Sequence, residues 1–401
     1  MKGLTFLGPT HYTATRYRYR EKIVATPFFA EALPEFFPDL DRIVVFVTPT
    51  VQRHPNLAAL QNRLGDLLDP VGIPESHTEH ALWKIFDALV GQVGEGEQVV
   101  FDITNSYRSL PFVVFIAAAF LRAARNVKVE AVLYGAFEAR SDDNVSPVFD
   151  LTPFLSLFDW LAATNQFLYT GNARYLASQL EKQKKPELQP LAENVRQIAR
   201  GLDLLRPRDV AQVALDLPQH LRAVESALPH PFAVLAHRLS NAYSRFGVSD
   251  PDDIRDHLRS QYQMIRWYSE KEHYVHTLSM AREWVVSLMC LEFELDPWDK
   301  DAREEMEFLL SGGTWKDPHS GQIFRVSPYL EKWKTHRYRK RVIRLWTGRD
   351  PGLANVRNDV LHSGFRKNPR PADEIIAQTK DIVAEIQALA RLWKIIDQRM
   401  A

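Results

Sequence analysis

The chain is predicted to be an α/β domain of Rossmann-like architecture followed by an all-α region. Three observations predict it. Buried-strand patterns alternate with helical ones up to Asp150. Strand patterns stop from Leu151 on, and long helical periodicities take over. Residues 98–111, Gln-Val-Val-Phe-Asp-Ile-Thr-Asn-Ser-Tyr-Arg-Ser-Leu-Pro, join an apolar run to a polar turn and then a long apolar segment, the order strand, turn, helix.

The elements follow in order. Leu4–Leu7 is a short apolar run ending at Gly8-Pro9, and Thr15–Arg20 alternates Thr/Tyr with Arg as a half-exposed strand does. Pro27–Phe37 reads as a helix and Ile43–Val47 as a buried strand closed by Thr48-Pro49-Thr50. Leu57–Leu68 and Glu79–Val90 are helical, Val99–Thr104 is a strand, Phe112–Arg122 a helix and Lys128–Tyr134 a strand. Buried strands alternating with helices imply a parallel sheet covered on both faces. The loops Gly8–Tyr12, Thr48–Thr50, Thr104–Arg108 and Gly135 then converge on one rim, where open α/β sheets bind ligands. A domain over 1–154 and a helical region over 155–401 are expected. The helical patterns are Leu155–Tyr169, Ala173–Lys182, Leu188–Leu204, Asp209–Ala227, Phe232–Phe246, Pro251–Tyr268, His273–Leu291, Ala302–Leu310, Leu330–Trp346 and Asp373–Gln398. Lys182–Pro190 and Asp296–Ser327 read as surface connections, and Gly91–Gly96 as a hairpin-like one.

Composition sets the outer limits. The 401 residues suit two or three domains, and 50 basic against 50 acidic residues leave any nucleic-acid binding to local patches. The one cysteine, Cys290, excludes an internal disulfide and sits in an apolar run, the place of an inert buried thiol. No apolar run reaches the ~18 residues of a membrane helix, and Lys2 leads straight into a strand, so no membrane partner and a cytoplasmic location are expected.

Two places carry chemistry. In the turn after residue 102, helix N–H groups and the planar fork of Arg108 suit an anion; capping is the competing role for its Thr, Asn and Ser. The second place is Arg357-Asn358-Asp359-Val360-Leu361-His362, an Arg-x4-His spacing. Composition supplies about one such pair by chance, so its context matters. Residues 331–349 hold Lys332, Lys334, Arg337, Arg339, Lys340, Arg341, Arg344 and Arg349 against Glu331 alone, with Trp333, Tyr338 and Trp346 interleaved. Cations with aromatic platforms suit single-stranded nucleic acid; a solvated helix with its aromatics in the core is the alternative. Arginine stabilises charge on phosphate oxygens and histidine moves protons near neutral pH, a pairing suited to metal-free RNA cleavage by the 2′-OH. Positions i and i+5 lie about 140° apart on a helix, so two copies across a two-fold axis would complete one site. Asn358 and Asp359 would orient the pair or cap a helix. His273 and His276, beside Glu270 and Glu272, lack a third metal ligand and read as a solvated or interfacial helix surface. Arg16, Arg18 and Arg20 suit a phosphate or an outward-facing edge equally.

The motif order resembles the CRISPR-associated CARF–HEPN ribonucleases of type III systems. Phe6-Leu7-Gly8 with Tyr12 and Tyr17 resembles the family's first strand and loop. Asp102-Ile-Thr-Asn-Ser-Tyr-Arg-Ser-Leu-Pro111 resembles its Asp-x-Thr-His-Gly-x-Arg-x-x-Pro motif. Tyr134–Glu138 with Val148–Phe154 resembles the close of its sensor domain, and Arg357–His362 its HEPN motif. The resemblance implies a homodimer or higher homo-oligomer. Its sensor would bind a cyclic oligoadenylate, tetra-adenylate favoured, through Gly8, Pro9, Thr10, His11, Tyr12, Thr48, Thr104, Asn105, Ser106 and Arg108. Arg357 and His362 would be catalytic on single-stranded RNA, supported by Asn358 and Asp359, with no metal or cofactor. Asn105-Ser106 replaces the family's His-Gly, which bears on ring size and on whether the sensor opens its own ligand. A messenger-binding regulatory module, or a ring nuclease without ribonuclease activity, is the alternative.

Overall fold

The computed structural model describes residues 1–401 apart from 77, 106–108, 229–231, 349–351, 366 and 398–401. The chain divides into two units, Met1–Asp159 and Trp160–Ala401. The first runs β1 (Lys2–Phe6), β2 (Thr15–Tyr19), β3 (Lys22–Thr26), α1 (Phe29–Phe36), β4 (Arg42–Val47), α2 (Pro49–Gln52), α3 (Pro55–Leu64), β5 (Leu68–Gly72), α4 (Glu79–Gly91), β6 (Gln98–Asp102), α5 (Leu110–Arg125), β7 (Lys128–Gly135), β8 (Val145–Asp150) and the start of α6 (Thr152–Thr170).

The eight strands form one sheet in the order β3-β2-β8-β7-β6-β1-β4-β5. β1 pairs in parallel with β4 and β6, β4 with β5, and β6 with β7. The central strands β1, β4 and β6 are apolar on both sides because helices cover both faces. Val99, Phe101, Val44 and Phe46 pack with Leu89 of α4 and Val114 of α5. Ile43, Val45, Val100 and Leu133 pack with Leu33 of α1 and Leu60 of α3. In β2, Thr15, Tyr17 and Tyr19 point inward and Arg16 and Arg18 outward, the alternation expected.

The sheet is mixed where an all-parallel one was expected. β8 runs antiparallel to β7, and β3 antiparallel to β2. The unforeseen strands lack a strong pattern: β5 carries Pro70 and Gly72 at the sheet edge, β8 carries Pro147, and β3 is largely exposed. The glycines of 91–96 join helix to strand rather than strand to strand.

The second unit continues with α7 (Arg174–Lys182), α8 (Gln189–Asp203), α9 (Pro207–Ala223), α10 (Phe232–Tyr243), α11 (Ile254–Glu270), α12 (Tyr274–Glu292), α13 (Lys300–Leu310), β9 (Thr314–Lys316), β10 (Ile323–Val326), α14 (Leu330–Lys334), α15 (Arg339–Thr347), α16 (Leu353–Leu361) and α17 (Ala372–Leu392). One apolar core runs through it, centred on Trp284, Trp333 and Ile386. Two details correct the all-α expectation. An exposed hairpin, β9–β10, occupies part of the stretch read as a surface connection. The single helix expected over Leu330–Trp346 is broken between α14 and α15, where tight turns bond His336 N–H to the Trp333 carbonyl and Arg339 N–H to that of His336. Among the described residues, no helix is long and apolar enough to cross a membrane.

Candidate functional sites

The α/β unit has its switch point at β1. After the β2–β3 pair at the far edge, the chain places β4 and β5 on one side of β1 and then β6 and β7 on the other. Ligands of open parallel sheets lie outside the carboxyl ends of the strands at such a reversal. The loops after β1 and β6 meet there: a Cβ on Gly8 would sit 4.0 Å from the Asn105 carbonyl oxygen and 3.1 Å from the Tyr12 hydroxyl. The Gly8 N–H donates to Tyr12 Oη at 2.8 Å. Asn56, at the start of α3, donates through Nδ2 to the carbonyls of Gly8 (3.0 Å) and Thr10 (2.8 Å). Thus Gly8, Thr10, Tyr12 and Asn105 are gathered in one chain, with Pro9 half-buried and Thr10 and His11 exposed.

A buried hydrogen-bond chain fixes the neighbouring loop. Thr5 Oγ1 donates to Asp102 Oδ2, and Thr104 N–H donates to Asp102 Oδ1 at 2.8 Å. The Gly135 N–H then donates to Thr104 Oγ1 at 2.8 Å. β1, β6 and β7 are thereby tied at their carboxyl ends. Burial pushes the Asp102 carboxyl up to about 6, against the lowering effect of the hydrogen bonds from Thr104 and Thr5. Gly135 has no room for a side chain, since a Cβ would lie 2.6 Å from the Phe29 ring and 2.9 Å from that of Tyr17.

The structure sorts the expected rim residues. Thr104 has its hydroxyl engaged by Gly135, so it positions the loop. Thr48 is 1% exposed and caps α2, accepting from the Val51 N–H at 3.4 Å. Ser109, ahead of α5, makes no side-chain cap. Ser106 and Arg108 lie outside the described residues. Asn56 and Thr5 were not foreseen: each acts on a residue distant in sequence, so no local pattern signals it.

The second candidate is α16 and the turn after it. Arg357 is half-buried on α16; its Nη1 donates to Asn358 Oδ1 at 3.1 Å, and its Nε is buried without a partner among the described residues. Burial first, then the charge of Arg282, pull the Arg357 guanidinium below its usual pKa; Glu283 and Glu307 act the other way. Arg282 itself bridges Glu283 and Glu307, both at 2.6 Å. Arg357 therefore sits over a fixed charge network on α12 and α13. His362 ends the helix, with its N–H on the Asn358 carbonyl at 3.0 Å and its side chain exposed. Ser363 and Gly364 follow with φ of 55° and 69°, turning the chain sharply.

Asp359 has a different task. It is 1% exposed and accepts from the Arg370 N–H at 3.1 Å, with the Arg370 guanidinium 3.7 Å away. It holds the returning chain against α16. Asn358 is exposed beside Arg357. Arg357 and His362 are separated by about 7.5 Å along the axis and 140° around it. No hydrogen bond joins them among the described residues.

The remaining expectations divide. Trp333 and Trp346 are 0% and 3% exposed, and Tyr338 packs on Trp393 at 4.8 Å between ring centres. The aromatics of the basic segment are thus core rather than stacking platforms, because α14 and α15 turn their apolar sides into the helical unit. Cys290 is buried, and burial pushes its thiol up to about 11, as expected of an inert residue. His273 and His276 stack on Trp267 and Tyr268 at 5.8 and 5.2 Å, and line a cleft of about 750 Å³ with Arg174 and Asp203.

Residues 156–250 match the family model for the second domain of CRISPR-associated protein MJ1674. The CRISPR-associated protein MJ1674 of Methanocaldococcus jannaschii is 30% identical over 125 residues. Over these stretches the chain is similar to a CRISPR-associated protein. The match takes in 30% of this chain and 19% of the MJ1674 protein's length. An α/β unit followed by a helical one is the two-part order expected from the motifs. Among solved structures, Enterococcus italicus Csm6 bound to cyclic hexa-2′-fluoro-hexa-dAMP aligns over 99% of this chain and 95% of its own, with a TM-score of 0.47 and 9% identity.

Proposed function

We propose that this CRISPR-associated chain is an endoribonuclease switched on by a cyclic oligoadenylate, with the α/β unit as sensor and the helical unit as nuclease. The observation that carries the reading is the end of α16, where a half-buried arginine fork rests on the α12–α13 charge network and an exposed histidine closes the helix. In the cleavage step the RNA 2′-oxygen attacks the adjacent phosphorus and the 5′-oxygen leaves. The 2′-proton passes to a base and the leaving oxygen takes one up. His362 serves proton transfer, and Arg357 meets the charge gathering on the phosphoryl oxygens. Asn358 steadies the guanidinium and Asp359 holds the turn.

The divergence of Arg357 and His362 calls for a second copy. Support for a homodimer comes from α5, where Phe112, Ile116 and Phe120 form an i, i+4, i+8 stripe exposed by 74, 61 and 45%. A contiguous apolar stripe of this size on a soluble domain marks an interaction surface. On the sensor side, the Gly8–Tyr12 loop and Asn105 offer backbone and amide groups to phosphates and bases, with Ser106 and Arg108 proposed beside them. Ligand activates by binding the cleavage-competent arrangement more tightly than the resting one.

The test is an assay of single-stranded RNA cleavage with linear and cyclic oligoadenylates of different sizes, with and without EDTA. Cleavage stimulated by one cyclic ligand and resistant to EDTA is the expected result. Loss of cleavage in EDTA overturns the 2′-OH mechanism. Binding of the ring without RNA cleavage replaces the reading by a regulatory module. Ring opening that Asn105→Ala stops and His362→Ala spares assigns the activity to the sensor.

A further inference from the structure

The basic run that the sequence presents as one block is split in two by the fold. On α15, Arg341 and Arg344 both pair with Glu385 of α17, at 2.7 and 3.6 Å. One carboxylate thus offsets part of the charge of the two arginines on that half. Where the helix breaks before α15, the cations have a different fate. Lys332, Arg337, Lys394 and Arg255 line a groove of about 600 Å³ together with Glu292 and His336. None of the four cations has a carboxylate partner among the described residues. The Lys332 ammonium lies 5.1 Å from the Phe293 ring centre, and the Arg337 guanidinium 4.4 Å from that of Tyr338. Arg255 donates one N–H to the Trp393 carbonyl at 2.8 Å and keeps its charge.

The one acid of the groove is already occupied. Glu292 accepts from Trp393 Nε1 at 2.8 Å, and its other oxygen lies 3.2 Å from His336 Nε2. His336 is itself sandwiched between Trp333 and Trp393, with centroids at 5.2 and 5.6 Å and planes within 25° of parallel. This rigid wall holds the groove open and leaves an excess of positive charge on it. α12 measures its place in the helical unit. Arg282 and Glu283, whose charges act on Arg357, lie ten and nine residues before Glu292, which puts the groove about 15 Å along α12 from the Arg357 end.

We propose that this groove holds the phosphodiester backbone of the RNA strand away from the cleaved bond. The inference rests on the RNA-cleaving reading above. The occupant is a polyanion, because the charges are unpaired and clustered. It is read through its backbone, because the aromatic faces are covered by the cations or by His336 and offer bases no open platform. Binding there is therefore tolerant of sequence.

The experiment uses the whole 401-residue chain carrying His362→Ala to stop turnover, and a fluorescent single-stranded RNA titrated at several salt concentrations. Its comparison partner adds Lys332→Gln, Arg337→Gln and Lys394→Asn; asparagine suits position 394, where φ is 57°. Each lost phosphate contact flattens log K against log salt by about 0.7, so the triple variant loses about 2 from the slope. Lys332→Gln alone, a milder change, loses about 0.7. The same charge change placed at exposed Lys84→Gln, Lys182→Gln and Lys184→Asn leaves the slope unaltered. An unchanged slope in the groove variant overturns the groove and leaves the RNA reading standing. An equal loss in the control variant overturns it too, as bulk charge. RNA binding by none of the proteins overturns groove and nuclease reading together.

Discussion

The rim of the α/β unit and the end of α16 are built on opposite plans. At the rim, donors and acceptors satisfy one another within a single chain: Thr5, Asp102, Thr104 and Gly135 form a buried series, and Asn56 with Tyr12 closes the first loop. At α16, Arg357 Nε has no partner among the described residues, while His362 is exposed on another side of the helix. A binding surface profits from being finished before its ligand arrives, since ordering costs affinity. On the proposed reading, the α16 centre is left unfinished so that a second copy decides when it works. The contrast is one of preorganisation, and each half of it can be broken separately.

The largest effect belongs to α16. Arg357→Ala and His362→Ala each lower cyclic-oligoadenylate-stimulated RNA cleavage by about 10²–10⁴-fold, the scale of a lost proton-transfer or charge-stabilising group. Ligand affinity, read by isothermal calorimetry, stays at the parent value. If cleavage survives in both variants, the unfinished centre lies elsewhere.

Next comes the α5 stripe. Phe112→Glu with Ile116→Glu places charge on the exposed stripe of α5 and turns the proposed dimer into monomers in sedimentation velocity. Stimulated cleavage falls with it while the circular dichroism spectrum is kept. A dimer that persists would move the interface to another surface.

A third prediction tests the finished half by pH. Burial raises the folded-state pKa of Asp102 from 3.8 to about 6, so the folded chain resists its ionisation. The cost is absent below the unfolded pKa, grows as pH rises between the two values, and is complete above the folded one. Over that interval the parent chain loses on the order of 3 kcal/mol relative to Asp102→Asn, which does not titrate. Denaturation midpoints of both proteins between pH 4 and 7 give the difference. Parallel curves would mean that Asp102 titrates as freely when folded as when unfolded.

The smallest effect sharpens the boundary of the rim. Thr48→Ala removes the α2 cap and costs about 1 kcal/mol of stability, with ligand affinity unchanged. A tenfold loss of affinity instead would return Thr48 to the ligand site.

Much of this comparison was legible in the residues. The alternating elements of the α/β unit, its loops on one rim, the helical second half and the Arg357–His362 spacing are local or periodic signals. The mixed character of the sheet was not legible, because β3, β5 and β8 are short, exposed or interrupted by proline. Nor was the role of Thr48, since a threonine before a proline serves equally as a cap or a ligand contact until its burial is known.

By itself, then, the sequence determined what short-range physics determines: strand and helix periods, a buried thiol at Cys290, a block of cations, and a motif order that points to a family. Tertiary structure decided which of those charges stay free. Glu385 is far from Arg341 and Arg344 in the chain yet pairs with both, while Lys332 and Arg337 lie over aromatic rings and have no carboxylate partner among the described residues. It decided likewise that Asn56 closes the Gly8 loop and that Trp333 and Trp346 belong to the core. The physical reason is the same in each case. Charge compensation and hydrogen-bond satisfaction depend on distance in space, and that distance is set by packing between elements far apart in the chain.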